Sequence, residues 1–157
     1  MTVTTKTATP EAAHGPGVVL TCDSADGRYA QDIYVGGHIL RADEPTSLGG
    51  ADTGPTPNDL LLAALGSCTA ITLRMYADRK NWKVGKISVR LHQSRIHAED
   101  CKTCESKEGM VTRITRDISI EGPLDDETRA RLLEIADKCP VHRTLTSEVV
   151  VDTQITE

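Results

Sequence analysis

Five cysteines in 157 residues are the side chains with the most chemistry to offer. Cys139 precedes Pro140. Where Pro140 takes the first position of a helix, Cys139 is its cap, and unpaired backbone N–H groups face the sulfur. That setting favours the thiolate. His142 and Arg143 follow within a turn and add positive charge. The competing reading is a buried cysteine used as a small hydrophobe. Cys68 lies inside an apolar helical stretch, remote from any helix N-terminus. It is core filler unless another segment brings it a cation or a hydrogen-bond donor. Arg28 and Arg41, in the preceding hairpin, are the available suppliers.

Cys101-Lys102-Thr103-Cys104 admits three readings. A thioredoxin-like redox motif needs a strand before it and a helix opening on it, whereas strands are expected on both sides. A zinc knuckle suits a hairpin loop, with His97, Asp100 and Glu105 nearby, but a structural zinc site takes four ligands and no second CxxC exists. A loop carrying two auxiliary thiols asks for nothing further, and this is the reading adopted. Cys139 and His142, three residues apart, also raise acyl transfer by a nucleophile and base on one helix face, for which the sequence shows no third, orienting residue.

These residues need elements to position them. Val18–Thr21, Arg28–Val35 and His38–Ala42 read as strands, the last two joined at Gly36-Gly37. Residues 43–57, rich in Gly and Pro, read as a loop. From Asn58 to about Lys80 the pattern is helical, with Asp59 offering a carboxylate to the helix start. Leu61, Leu65, Cys68, Thr72 and Met75 share a face, and the other faces are apolar too, which predicts a buried central helix. Lys86–His97 and Arg113–Glu121 alternate as half-buried strands. Asp125-Asp126-Glu127 opens a second helix, ending before Cys139-Pro140. A short helical turn through Leu145 and a strand over Val149–Ile155 complete the order. The class is α+β: a mostly antiparallel sheet packed by a long buried helix.

Composition bounds the function. The length suits one domain, expected over residues 17–157 after a flexible arm over residues 1–16. With 38% hydrophobic residues but no Phe and one Trp, the core must be aliphatic. A net charge of -5 and few aromatic rings argue against a nucleic-acid partner. No run reaches the ~18 apolar residues of a membrane span, and the N-terminus lacks a signal-peptide stretch. A cytoplasmic protein is expected.

Taken together, Asp43-Glu44-Pro45, Gly49-Gly50, Pro55-Thr56-Pro57-Asn58-Asp59-Leu60-Leu61 and Ala64-Leu65-Gly66-Ser67-Cys68 resemble the first signature of the OsmC/Ohr superfamily. Cys139-Pro140-Val141-His142-Arg143-Thr144-Leu145 is similar to its second. The resemblance, to a less characterised branch, runs from about Asp26 to Ile155. It implies an intertwined homodimer with sites at the subunit interface. It also implies that Cys68 attacks an organic hydroperoxide and that Cys139 condenses with the resulting sulfenic acid. A dithiol reductant, often lipoyl-type, then reopens the disulfide, with no metal or prosthetic group. The family orients the first thiolate with an arginine and a glutamate. Arg28, or Arg41, takes the arginine's place; the glutamate position falls on Asn58-Asp59, so Asp59 is the substitute.

Overall fold

The computed structural model describes residues 15–156. The expected arm over residues 1–16 therefore lies almost wholly outside the described residues. The chain divides into two compact units, Met1–Leu61 and Leu62–Glu157, which are taken in turn.

The first unit carries an antiparallel sheet in the order β1 (Val19–Asp23), β2 (Gln31–Val35) and β3 (His38–Ala42). Val35 pairs with His38, so Gly36-Gly37 is a two-residue hairpin turn, and Gly36 adopts φ 55° there. That left-handed backbone is what a tight hairpin asks of its first turn residue. The Gly/Pro-rich segment after β3 is an ordered loop built on Asp43. This side chain is 1% exposed and accepts from the N–H groups of Glu44, Ala51 and Thr53 and from the Thr53 hydroxyl, at 2.8–3.1 Å. Gly50 lies so close to the Glu44 carbonyl that no Cβ fits. The sequence pattern showed turn chemistry here; the carboxylate that organises it emerges only in three dimensions.

Helix α1 (Pro57–Arg79) starts with a reciprocal cap. The Thr56 hydroxyl accepts from the Asp59 N–H at 3.2 Å, while Asp59 Oδ2 accepts from the Thr56 N–H and hydroxyl at 3.1 and 2.6 Å.

In the second unit, β4 (Ile87–His97) and β5 (Met110–Ile120) form an antiparallel hairpin, paired from Ile87↔Ile120 to His97↔Met110. Helices α2 (Asp126–Ala136) and α3 (Pro140–Leu145) follow. Leu73 and Tyr76 of α1 pack with Leu132, Ile135 and Ala136 of α2, flanked by Trp82, Ile87, Ile118, Ile120 and Leu124. Gly66 lets α1 approach β4, since a Cβ would come within 2.8 Å of Leu91 Cδ1. By length and composition alone α1 could cross a membrane, with mean hydropathy 1.5. Here it is the core helix of its unit.

Two expectations shift. The buried stripe of α1 is Leu65, Thr69, Leu73, Tyr76 and Ala77, so the helix is rotated by one position from the expected face. Cys68 sits on its edge, while Ile71 and Met75 face outward in the single chain. The expected strand over Val149–Ile155 is absent. Val150 and Val151 are about four-fifths exposed. A strand needs a ladder for its N–H and C=O groups, and among the described residues this segment pairs with none.

Asp43 makes the first unit acid-sensitive in a defined way. The hydrogen bond from the Thr53 N–H is the largest influence, and it outweighs burial to hold the carboxyl below its ordinary range. A carboxylate with a folded pKa below its unfolded value contributes stability that is complete above the unfolded pKa. That contribution is lost as pH falls through the folded one. Asp43→Asn is expected to lower the denaturation midpoint at neutral pH and to flatten its decline in acid. Equal acid titrations of the two proteins would refute this role.

Candidate functional site: a two-cysteine pair on the core helix

Local sequence prepares Cys139 directly. It ends the turn after α2, with φ -62° and ψ 135°, and caps α3 with Pro140 at the first helical position. The four leading N–H groups of a helix lack internal partners. Two of them, on Val141 and His142, turn to the sulfurs: His142 N–H lies 3.3 Å from Cys139 Sγ, and Val141 N–H donates toward both. Cys139 is completely buried.

Tertiary packing brings Cys68 to it. The Thr69 hydroxyl lies 3.8 Å from the Cys139 sulfur, and Cys68, one residue earlier on α1, is near enough to influence the acidity of that sulfur. The two sulfurs differ in acidity. Burial pushes the Cys139 thiol up, but donors from His142, Cys68, Thr69 and Val141 together overcome it and leave the thiol below its ordinary range. Burial also pushes Cys68 up, and the neighbouring Cys139 adds to this. Cys139 is therefore the more acidic of the pair, and Cys68 is the one that is only half-buried.

Arg116, a residue the sequence reading passed over, supports this arrangement. Its Nη1 donates to Thr69 Oγ1 at 3.1 Å and to the Ala136 carbonyl at 3.2 Å. Nη2 pairs with Asp137 at 2.6 Å. A signal was present in β5: Arg116 shares the inward parity of Ile114, Ile118 and Ile120, where a charge is out of place unless partnered. A groove of about 270 Å³ between α1, β5 and α3 is lined by Leu65, Ile114, Arg116, His142 and Leu145, among others.

The other expected residues are in the first unit. Arg28 lies over the Tyr29 ring at 5.3 Å. Arg41 is tied to Asp26 and Asp32 at 2.5 and 2.8 Å. Asp59 caps α1 as described.

The adopted reading of Cys101 and Cys104 as two loop thiols is corrected: they form a disulfide, with Cα atoms 5.5 Å apart. In that state neither sulfur can serve as a zinc ligand. The bond closes a very short loop on a hairpin that is already paired, so it contributes little to stability. For acyl transfer, Asp137 now offers an orienting carboxylate 3.9 Å from His142 Nδ1. Cys139, however, exposes no surface to an acyl substrate.

Two coupled thiols lose their protons in two steps that belong to the pair. In a Cys22→Ser background, the ultraviolet thiolate signal is expected to rise in two separated steps. The first falls below the ordinary thiol range and the second above it. Cys139→Ser should leave a single step between them; one unsplit transition in the two-cysteine protein would refute the coupling.

With this geometry in place, the relatives are informative. An uncharacterised protein from Haloferax volcanii is 27% identical over 106 residues, which is 66% of this chain and 73% of its own. Among solved structures, an OsmC-like protein from Mycoplasma pneumoniae superposes with TM-score 0.63 at 19% identity, covering 81% of this chain and 84% of its own. An organic hydroperoxide resistance protein OsmC from Legionella pneumophila gives 0.58 at 19%, covering 82% and 88%. These likenesses establish the shared fold. The family model for OsmC-like protein matches residues 49–154, which include both Cys68 and Cys139, and the chain belongs to that family.

Proposed function

We propose that this protein reduces organic hydroperoxides with Cys68 as the attacking sulfur and Cys139 as the resolving one. One observation carries the reading: half-buried Cys68 stands beside the buried, more acidic Cys139, whose sulfur faces the first N–H groups of α3. Neighbours of the same fold that are named for organic hydroperoxide resistance support it.

The charge distribution suggests how the chemistry runs. Cys139, the more acidic sulfur, takes the proton from Cys68 and so acts as its base. The Cys68 thiolate attacks the terminal peroxide oxygen, the O–O bond breaks, and an alkoxide leaves with Cys68 as sulfenic acid. The proton on Cys139 passes to the alkoxide, giving the alcohol. Cys139, again a thiolate, attacks the Cys68 sulfur and displaces hydroxide, which is protonated to water. The product is a Cys68–Cys139 disulfide. A dithiol, lipoyl-type in the resemblance, returns it to two thiols by exchange. The same resemblance assigns orientation of Cys68 to Arg28 or Arg41 and to Asp59.

The homodimer belongs to the proposal as well. Exposed Ile71, Met75, Val150 and Val151 offer apolar surface and an unpaired backbone segment for a second copy. Light scattering is expected to give twice the chain mass, and Ile71→Asp with Met75→Asp to lower it; monomers throughout would remove this part.

One observation favours a second reading, a weakly active redox sensor: the raised pKa of Cys68 leaves little of its own thiolate. Turnover decides between them. With cumene hydroperoxide and dihydrolipoamide, Cys68→Ser is expected to abolish peroxide consumption. Cys139→Ser should slow the first oxidation by roughly 10²-fold, through loss of the base, and leave a trappable sulfenate. Sustained turnover by the Cys68→Ser protein would exclude Cys68 as the attacking sulfur.

A further inference from the structure

Arg116 occupies an unusual place for a guanidinium. It stands in the apolar inward row of β5, with a side chain 12% exposed. Its three partners come from two elements: Thr69 on α1, and the Ala136 carbonyl and the C-cap residue Asp137 at the end of α2. Asp137 is itself 60% exposed, so water screens the charge it presents to the interior. The Thr69 hydroxyl is completely buried and has one hydrogen to give. Because Arg116 donates to its oxygen, that hydrogen goes to the Leu65 carbonyl at 2.8 Å or to Cys139 Sγ at 3.8 Å. The Arg116 bond polarises the hydroxyl and makes it a stronger donor, so the share of its hydrogen that reaches Cys139 Sγ favours a thiolate there.

We infer that Arg116 is a positioning residue for the cysteine pair, acting through Thr69 to hold the negative charge on Cys139 and thereby to keep the Cys68–Cys139 disulfide reducible. This rests on the redox-pair reading above. The argument is one of charge balance. A thiolate on Cys139 is charged whereas the disulfide is neutral, so a largely buried cation nearby stabilises the reduced form selectively. A couple whose reduced form is stabilised gives up its disulfide more readily to a dithiol. In the exchange, two electrons pass from the dithiol to the pair, with one proton to Cys68 and the other to Cys139 or, where Cys139 stays a thiolate, to water. One S–S bond breaks at Cys68–Cys139, and one forms in the oxidised dithiol.

Among the described residues, the charged and titratable groups near Cys139 include Cys68 on α1, Arg116 on β5, Asp137 and Lys138 after α2, and His142 and Arg143 on α3. Asp137 lies 2.6 Å from Arg116 and 3.9 Å from His142 Nδ1. It competes with the sulfur for the Arg116 charge. The two partners of this ion pair are therefore expected to act with opposite sign. A merely structural bridge would give the same sign whichever end is cut.

The experiment uses full-length protein in a Cys22→Ser background and needs no hydroperoxide. The first thiolate step is followed by absorbance. The thiol–disulfide equilibrium of the pair is set with mixtures of reduced and oxidised dithiothreitol and read by alkylation and peptide mass. Arg116→Met is expected to move the first step to higher pH and to shift the equilibrium toward disulfide. Arg116→Lys should recover part of both effects. Asp137→Asn, on an exposed side chain, should move both quantities the other way. Arg116→Met and Asp137→Asn shifting in the same direction, or neither shifting, would overturn the inference while leaving the redox pair intact. If the starting protein forms no Cys68–Cys139 disulfide under any mixture, the redox-pair reading fails and this inference falls with it.

Discussion

A single buried guanidinium ties the second unit together. Arg116 reaches from the β4–β5 hairpin to the Thr69 hydroxyl of α1, to the last carbonyl of α2, and to the carboxylate that follows it. A charge at that depth must be partnered, because the cost of leaving it unsatisfied is several kcal/mol. Its three bonds constrain three elements at once. The chain leaves α2 at Asp137 already anchored, and two residues later Cys139 meets Cys68. The register of the hairpin, the rotation of α1 and the end of α2 are thus coupled through one side chain.

That coupling matters because the chemistry depends on a small difference between two identical functional groups. Cys68 and Cys139 are both thiols in a partly apolar setting, where burial alone would leave both protonated. The difference lies in donors. Cys139 faces the free N–H groups of α3 and a buried hydroxyl, while Cys68 lies on the edge of α1. The result is a pair in which accessibility and acidity fall on different sulfurs, Cys68 half-buried and Cys139 buried but the more acidic.

The same economy explains how the fold persists among relatives sharing only 15–20% identity with this chain. Strand alternation, a small residue where α1 meets β4, a capped helix start and a cysteine before a proline are patterns, and many sequences satisfy them. Gly66 is needed because Leu91 lies against it, and Gly50 because the Glu44 carbonyl fills the space of a Cβ. Identity elsewhere is free to drift.

The elements were largely legible in the sequence, because they rest on local rules. The hairpin turn at Gly36-Gly37, the start of α1 near Asp59, the alternating β4 and β5, and Cys139 as the cap before Pro140 all follow from backbone preferences and hydrophobic period. Where the rules need a partner, the sequence was silent. The apolar alternation after Val149 read as a strand, yet a strand exists only against a ladder, and none is formed with it among the described residues. The apolar spacing of α1 left its buried face uncertain by one position, because an almost wholly apolar helix has little moment to orient it. Arg116 read as one more strand residue, and Cys101 and Cys104 as separate thiols. Each acquires its meaning from an atom distant in sequence or from chain geometry that spacing does not encode. The sequence by itself determined which residues could be reactive. The tertiary structure decided which sulfur carries the charge, since a thiol's ionisation depends on the donors and burial around it, and packing supplies both.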